Sequence, residues 1–414
     1  MRGIAIVGAG QAGLQLGLGL LAAGYEVTLV AERRPEEVRG GRVTSTQLMF
    51  GPTLRIEREA GLALWDDVTP VMPGFELSHW DPEGNPDVPV ARFAAPFDAE
   101  VRSVDQRVKL AAWLELFEER GGRVEYRSVG PAEAAALAAA HDLTVLATGR
   151  GELSALFGRD AARSVYDRPQ RSLACFYVHG GAHDASDPAA AYVRTTGVPP
   201  AGDVIVLRAL TVSGPCDILL FEGKRDGPYD CWGDRPAPAD GLRRGLELLR
   251  TYAPWEYERF RAAEPTDPGA ALYGAVTPVV RHPVARVGDG VALLGMADAV
   301  AVNDPITGQG SNNAARAAAS YLAAIVARGE RPFDEAWMRE TFAAYWDTAR
   351  HTHAFTDLML RQPQPDHVGR IVRAALAHPE VAHRFANGYA DPLTYRDWLL
   401  DPSGADAYLD RFPG

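Results

Sequence analysis

The order of apolar and polar residues along the chain predicts a nucleotide-binding domain built on a parallel sheet. Residues 4–8 form a continuous β-prone run, and residues 11–23 carry leucines at helical spacing. A second apolar run at 27–30 completes a strand–helix–strand unit. Buried-strand patterns return at 142–149 and 291–295. The domain is therefore expected to be split, with its last strand far downstream.

The segment between the two parts of that domain has a different texture. From about 165 to 275, short β-rich runs alternate with Gly, Pro and Asp turns, which predicts an inserted, mostly antiparallel sheet. After Pro332 the chain has a helical, polar pattern. The expected fold class is α/β (α+β): a Rossmann-like domain, an inserted sheet domain and a C-terminal helical segment. The expected boundaries are 1–160 and 276–330 for the nucleotide-binding domain, 161–275 for the sheet domain and 331–414 for the helical segment.

Composition and charge narrow the range of partners. Hydrophobic residues make up 47% and charged residues 23% of the 414 positions, as in an ordinary globular enzyme. The 42 basic and 54 acidic side chains give a net charge of −12, which disfavours nucleic acid and anionic membranes. The three cysteines are scattered, and neither a secretion signal nor a membrane-spanning run is evident. We expect a soluble cytoplasmic protein without disulfides or a metal site.

A glycine motif lies between the first strand and the first helix. Gly8, Gly10 and Gly13 form G-x-G-x-x-G, and Glu32 ends the second strand. Gly8 is expected to make the tight turn, Gly10 to let the backbone approach a pyrophosphate, and Gly13 to allow close helix–strand packing. A carboxylate at Glu32 can accept hydrogen bonds from a ribose. The sequence therefore predicts a dinucleotide site.

A second cluster resembles the second FAD fingerprint of the aromatic-hydroxylase flavoproteins. Asp298 ends a strand, and Pro305 opens P-x-x-G-x-G-x-N, which contains Gly308, Gly310 and Asn312. The resemblance implies that Asp298 binds the ribitol and that Pro305 lies against the isoalloxazine. It also implies that the amides near the other three residues face the pyrimidine end of the flavin. FAD is therefore the expected cofactor.

Three more residues belong to the expected FAD site. Ala297 precedes Asp298 where those flavoproteins usually have glycine, so the local backbone is expected to differ. Arg42 and Arg107 are the two cations expected on the phosphates or the ribitol, because the guanidinium group is a fixed, fork-shaped donor. Each is also compatible with an ordinary surface arginine.

Nearly the whole chain is similar, in motif order and spacing, to the styrene and indole monooxygenases. The segments that carry this resemblance are 8–32, 41–42, 103–107, 167–171 and 304–312. It implies a two-component epoxidase that receives reduced FAD from a separate, transiently bound NADH-dependent reductase. Ser45, Gln47 and Met49 form Ser-x-Gln-x-Met, which resembles the indole branch, where the styrene branch has Asn-x-Val-x-His.

The resemblance also implies a reaction and a pocket. Reduced FAD and O2 form a C4a-hydroperoxide that epoxidises the C2=C3 bond of indole, with styrene-like alkenes and sulfides as further substrates. The expected pocket walls are Ser45, Gln47, Met49, Pro305 and Ile306, with part of 45–100 contributing. A homodimer is compatible with this assignment.

Two alternatives remain open from the sequence. One is a single-component aromatic hydroxylase that uses NAD(P)H directly, and the other is a non-catalytic nucleotide-binding protein. Hydrolase and metal motifs are not evident in the sequence, and His351 and His353 are expected on the surface because they are two residues apart on a predicted helix.

Overall fold

The computed structural model describes residues 2–81, 83–85, 87–149, 151–184, 186–288 and 290–412. The strands are β1 (Gly3–Val7), β2 (Glu26–Ala31), β3 (Leu48–Met49), β4 (Met72–His79), β5 (Ala91–Ser103), β6 (Arg123–Tyr126), β7 (Leu143–Leu146), β8 (Arg171–His179), β9 (Val193–Val198), β10 (Gly202–Thr211), β11 (Gly214–Lys224), β12 (Glu264–Pro265), β13 (Ala271–Gly274), β14 (Val279–Val280), β15 (Val284–Gly288), β16 (Val291–Gly295) and β17 (Ala301–Val302). The helices are α1 (Gln11–Ala22), α2 (Pro35–Arg39), α3 (Gly51–Glu59), α4 (Gln106–Glu119), α5 (Pro131–Ala140), α6 (Glu152–Ala155), α7 (Pro238–Tyr252), α8 (Pro254–Phe260), α9 (Gly310–Arg328), α10 (Glu335–Leu360), α11 (Asp366–Ala377), α12 (Pro379–Ala390) and α13 (Pro402–Leu409). Short 3₁₀ turns lie at Pro188–Ala191, Ala297–Ala299, Pro305–Thr307 and Pro392–Tyr395.

The first sheet has the expected Rossmann-like arrangement. Its strand order is β15-β16-β7-β1-β2-β6, with parallel pairing from β16 to β6 and an antiparallel edge strand β15. Leu294 of β16 lies beside Val145 of β7, so the downstream strand completes the N-terminal sheet. The α/β fold class is confirmed, and the expected domain boundaries stay predictions.

The second sheet is larger than the inserted segment. Its order is β12-β8-β11-β10-β9-β4-β5-β3, with β13 beside β8, and all pairs are antiparallel except β4 with β9. The mostly antiparallel sheet is confirmed, but β3, β4 and β5 come from 48–103, outside the expected 161–275 segment. Phe75 of β4 pairs with Val193 of β9. A partner so far along the chain leaves no mark in the local sequence pattern.

Both faces of the second sheet are covered. On β11, Leu219 and Phe221 pack in the core formed with α7 and α8, whereas Ile218 and Leu220 face the C-terminal helices. The C-terminal segment is helical, as expected. The surface positions expected for His351 and His353 are wrong, since they are 8% and 5% exposed. Their helix, α10, packs against α9 and two 3₁₀ turns, so it is covered on more than one side.

Membrane and metal features were also considered for the described residues. Within that part of the chain, no helix combines the length and apolarity needed to cross a membrane. The same residues contain no group of three or more His, Cys, Asp or Glu side chains placed to hold a metal ion.

Candidate active site

The carboxyl ends of four parallel strands meet at one edge of the first sheet. Gly8 follows β1, Glu32 follows β2, Gly149 follows β7 and Asp298 follows β16. A Cβ built on Gly8 lies 2.9 Å from Thr148, and one on Gly149 lies 2.6 Å from the Asp298 Cβ. The loops after these strands are therefore in contact. In open α/β sheets this edge is where ligands bind.

The glycine turn has the geometry that its motif predicts. Gly8 adopts a φ of +116°, and a Cβ on Gly13 would lie 2.0 Å from the Gly8 carbonyl oxygen, so no side chain fits between α1 and the turn at this position. A Cβ on Gly10 would meet nothing within 4 Å, and no side chain caps α1 there. The N-terminus of α1 thus has no side-chain cap and has open space beside Gly10, which fits an anionic pyrophosphate. The exposed Glu32 lies at the end of the neighbouring strand.

The second predicted segment forms a 3₁₀ turn followed by α9. Asp304 caps the turn, because its Oδ1 accepts from the Ile306 N–H at 3.1 Å. Gly308 ends the turn in the left-handed region, with a φ of +66°. A Cβ on Gly310, the first residue of α9, would meet nothing within 4 Å. A second helix N-terminus is therefore open to a ligand.

Asn312 joins this segment to a distant part of the chain. Its Oδ1 accepts from the Phe50 N–H at 2.9 Å and from the Thr53 hydroxyl. Its Nδ2 donates to the carbonyl oxygens of Leu48 at 2.8 Å and Gly308 at 2.9 Å. The Asn312 side chain thus fixes residues 48–53 against α9. A contact between the Asn312 backbone and the cofactor stays a prediction.

The hydrogen bonds of the Arg107 side chain are all made to other groups of the protein. It is 3% exposed, and its guanidinium donates to Asp105, to both carboxylate oxygens of Asp267, to the Thr211 hydroxyl and to the Gly41 carbonyl. Burial opposes its charge, but the hydrogen bonds with Asp267 and Asp105 raise the pKa of Arg107 above its ordinary value. All five N–H donors have partners, so the structure shows a bracing role, and direct contact with FAD stays a prediction.

Arg42 differs from Arg107 although the two lie near each other. Arg42 is exposed, follows the Gly41 carbonyl that Arg107 binds, and has no hydrogen bond or ion pair with the residues the structure describes. Its guanidinium is therefore available to an anionic ligand.

The backbone beside Asp298 is unusual. Ala297 has a φ of +51°, a left-handed conformation that glycine adopts freely and that costs another residue roughly 1–2 kcal/mol. Alanine in place of the usual glycine at position 297 therefore gives a strained backbone. Asp298 itself is exposed at the sheet edge.

An apolar cavity adjoins the second segment. Its walls include Pro305, Ile306, Thr307 and Gly308 together with side chains from the second sheet and α12. Its empty space, counted together with adjoining open solvent, is about 390 Å³, of which about 20 Å³ admits the centre of a water molecule. The other wall residues, from the second sheet, the loops beside β3 and α12, are Thr46, Leu48, Phe50, Phe75, Phe97, Val193, Thr195, Ile205, Leu207, Leu220 and Tyr389. The structure therefore brings two of the predicted pocket residues, Pro305 and Ile306, to an aromatic-lined cavity.

The other three predicted pocket residues are not on that wall. Their neighbours Thr46 and Leu48 line the cavity. Ser45 Oγ accepts from the Gln47 N–H at 3.1 Å, and Met49 Sδ lies 4.0 Å from the Gln11 amide nitrogen. Gln47 is 1% exposed with a φ of +50°, and neither atom of its amide has a partner among the described residues. A contact between these three side chains and substrate stays a prediction.

Sequence reasoning missed the aromatic walls. Phe75 and Phe97 come from β4 and β5, and Tyr389 comes from α12, which stacks it on Phe75 at 4.9 Å between centroids. Buried Phe93, Ala95 and Phe97 alternate with exposed residues along β5, and that period of two could have indicated a sheet face. Nothing local to Tyr389 indicates its place.

Similarity to known proteins indicates one family. The family model described as "Styrene monooxygenase A putative substrate binding domain" matches residues 149–259. Styrene monooxygenase StyA of Pseudomonas fluorescens is 30% identical to this chain over 323 residues, which are 76% of this chain and 75% of the relative. The chain belongs to the styrene monooxygenase family.

Solved structures outside that family share the fold. The flavin-dependent brominase Bmp2 matches 100% of both chains at 17% identity with a TM-score of 0.64. The p-nitrophenol 4-monooxygenase PnpA from Pseudomonas putida DLL-E4 covers 93% of this chain, with 97% of its own length matched, at 14% identity and a TM-score of 0.62. At these identities the likeness shows the fold alone. Membership of the styrene monooxygenase family makes the chain a flavin-dependent monooxygenase, and the open helix ends at the sheet edge fit a flavin nucleotide.

Proposed function

We propose that this chain is the oxygenase component of a two-component system. A separate NADH-dependent reductase supplies reduced FAD, and the chain epoxidises the C2=C3 bond of indole and the alkene of styrene-like substrates, with aryl sulfides as a further class. The observation that carries the proposal is the apolar cavity, because the Pro305–Gly308 turn of the second fingerprint is one of its walls. A substrate held there meets the cofactor that this fingerprint binds.

The cofactor is assigned to the sheet edge. The open turn at Gly10 and the α1 N-terminus receive the pyrophosphate, Glu32 the ribose, and Arg42 a phosphate. Asp298 and the α9 N-terminus at Gly310 hold the ribitol and the flavin ring. A helix N-terminus favours the negative charge of reduced flavin by about 0.3–1 kcal/mol at an exposed site. Bound reduced FAD supplies the oxygen-activating chemistry, so the protein needs no nucleophile of its own.

The cavity walls suit a flat aromatic substrate and exclude water. Phe50, Phe75 and Phe97 give apolar surface, and Tyr389 is held by ring contacts at 4.9 Å with both Phe75 and Phe355. Tyr389 lines the cavity, and its hydroxyl has no hydrogen-bond partner in the described part of the chain, so it is a second candidate beside Ser45 and Gln47 for the group that meets the indole N–H. An apolar, water-poor site also protects an activated oxygen species from wasteful breakdown.

NADH consumption tests the two-component assignment. Purified protein with FAD, NADH and indole is expected to oxidise NADH slowly, and oxygenated product is expected only after a flavin reductase is added. Rapid, indole-stimulated NADH oxidation without a reductase would instead favour a single-component aromatic hydroxylase. FAD binding without product from any aryl alkene would favour a non-catalytic nucleotide-binding protein.

The indole preference has its own test. Replacing Ser45, Gln47 and Met49 together by Asn, Val and His is expected to lower the indole to styrene ratio of kcat/KM about tenfold, because one hydrogen-bond match is worth about that factor. Tyr389→Phe, which keeps the ring packing, is the matched variant from the cavity wall. A ratio that moves only in Tyr389→Phe would show that the cavity, and not the 45–49 stretch, selects the substrate.

A further inference from the structure

Two carboxyl groups are buried together behind the flavin-facing turn. Glu222 lies on β11 and Asp304 directly precedes Pro305, and both are 0% exposed with their side chains in hydrogen-bond contact. Asp304 Oδ1 accepts from the Ile306 N–H, but Asp304 Oδ2 and both carboxylate oxygens of Glu222 find no donor among the described residues. Buried acceptors without donors are rare in folded proteins because their desolvation is uncompensated.

The surrounding charges do not balance two carboxylates. The cation that acts most strongly on both groups is Arg171, which is 3% exposed and already pairs with Asp203 at 3.2 Å. Lys224, which donates to the Pro199 carbonyl, and Tyr166 also lie around this end of the sheet. Asp357 and Arg361 lie beyond Tyr166, whose hydroxyl donates to the Asp357 carbonyl. One guanidinium shared with Asp203 leaves the pair with an excess negative charge if both members ionise.

One proton on the pair supplies the missing hydrogen-bond donor and removes the excess negative charge. Two carboxyl oxygens in contact repel each other when both are ionised, whereas one proton between them creates a strong, charge-assisted hydrogen bond. We propose that Glu222 and Asp304 share one proton, and that this acid–carboxylate pair positions the Pro305–Gly308 wall of the cavity. Glu222 is thus a positioning residue for the cofactor and substrate site.

The proton behaviour of both groups supports this reading. Burial, reinforced by the charge of Asp304, raises the pKa of Glu222 well above its ordinary value. Burial also raises the pKa of Asp304 to about 6, so both members of the pair hold a proton more tightly than an ordinary carboxyl group does. Because the folded chain holds the proton more tightly than the unfolded chain, the contribution of the pair to stability is full at low pH and is lost as the pH rises.

The geometry connects this proton to the site. Asp304 uses one oxygen to cap the 3₁₀ turn and the other oxygen is free to receive the proton, so the pair fixes the turn to β11. Leu220, two residues before Glu222 and therefore on the same face of β11, lines the cavity. Loss of the proton places two like charges in contact and pushes the capping residue, and with it Pro305, away from the sheet.

Infrared spectroscopy tests the shared proton without any cofactor. At neutral pH the spectrum should contain two protonated-carboxyl stretches, one from the pair and one from Asp357, whose pKa burial raises to about 7, and only the band of the pair should disappear in Glu222→Gln. Glu76→Gln is the matched control, because Glu76 is 1% exposed but bound by Arg92 and Arg194, so its replacement should leave the band in place. Absence of the band in the wild type, or its persistence in Glu222→Gln, would overturn the proposal.

FAD binding tests the positioning role, which rests on the proposed function. Wild-type affinity for FAD should fall as the pH rises and the pair loses its shared proton, whereas Glu222→Gln should bind FAD normally and lose that pH dependence, because its amide still donates to Asp304. Glu222→Leu should bind FAD about tenfold more weakly at neutral pH, because it leaves a buried carboxylate unpaired. Unchanged pH dependence in Glu222→Gln would refute the positioning role. Failure of the wild type to bind FAD at any pH would refute the proposed function, and the infrared result would still decide the proton.

Discussion

The two halves of the candidate cofactor site differ in what fixes their geometry. In the first half, the decisive contact joins Gly13 to the Gly8 carbonyl, five residues away in the same motif. In the second half, Asn312 holds the turn by binding residues 48–53. Asp304 also holds it, because its carboxyl group lies beside that of Glu222 on the second sheet. The first half is a local structure, and the second exists only in the folded chain.

Substitutions within the glycine turn should separate folding from binding most strongly. Gly13→Ala places a methyl group 2.0 Å from a backbone oxygen, so we expect a loss of about 3 kcal/mol in unfolding free energy. Gly10→Ala meets no protein atom, so its stability should stay within about 0.5 kcal/mol while FAD affinity falls. Urea unfolding and FAD titration measure the two effects. Equal loss of stability in both variants would contradict this division.

Asn312 tests whether the second half depends on its distant partners. Asn312→Ala removes four hydrogen bonds and leaves buried groups unmatched, so we expect a loss of about 2–3 kcal/mol in unfolding free energy together with weaker FAD binding. Ser311→Ala removes one bond to the Leu48 carbonyl and should cost about 1 kcal/mol. Thermal unfolding of both variants checks this order, and a greater effect of Ser311→Ala would refute it.

Substitutions of Arg107 and Arg42 should likewise separate an effect on stability from an effect on FAD binding. Arg107→Lys cannot make the paired contacts with Asp267 and Gly41, so we expect about 1–3 kcal/mol lower stability. Arg42→Ala should leave the stability unchanged within about 0.5 kcal/mol and weaken FAD binding. Chemical denaturation and FAD titration of both variants measure these two effects. Normal folding of Arg107→Lys combined with lost FAD binding would instead place Arg107 on the cofactor.

The smallest expected effect concerns the backbone beside Asp298. Ala297→Gly relieves a left-handed alanine but adds freedom to the unfolded chain, so we expect a net gain of about 0.5 kcal/mol. Ala299→Gly, at a fully buried position without a left-handed φ, should instead destabilise the protein. Urea midpoints of both variants measure the contrast. Destabilisation by Ala297→Gly would show that its conformation carries no strain.

These contrasts also explain what the sequence could predict. Apolar runs and glycine spacing predicted the first sheet and the turn at Gly8 to Gly13, because both depend on neighbouring residues. The place of β4 in the second sheet, the bracing role of Arg107 and the cavity position of Tyr389 depend on partners many residues away. Such partners leave no periodic signal in one sequence. The burial of His353 was missed for the same reason.

The cofactor chemistry was predicted by resemblance more than by any side chain. The chain belongs to the styrene monooxygenase family, whereas its assignment to the indole branch stays a prediction. That prediction rests on Ser45, Gln47 and Met49, which are not on the cavity wall. Pro305 lies on the cavity wall, and its contact with substrate stays a prediction. The positions most informative about substrate are those on the cavity wall.

A single-turnover experiment tests the central claim most directly. The protein is mixed anaerobically with chemically reduced FAD, without reductase or NADH, and then with oxygenated buffer containing styrene or indole. The account predicts close to one oxygenated product molecule per bound flavin, with indole consumed ahead of styrene in a mixture. Reoxidation of bound FAD that yields only hydrogen peroxide with either substrate would contradict it.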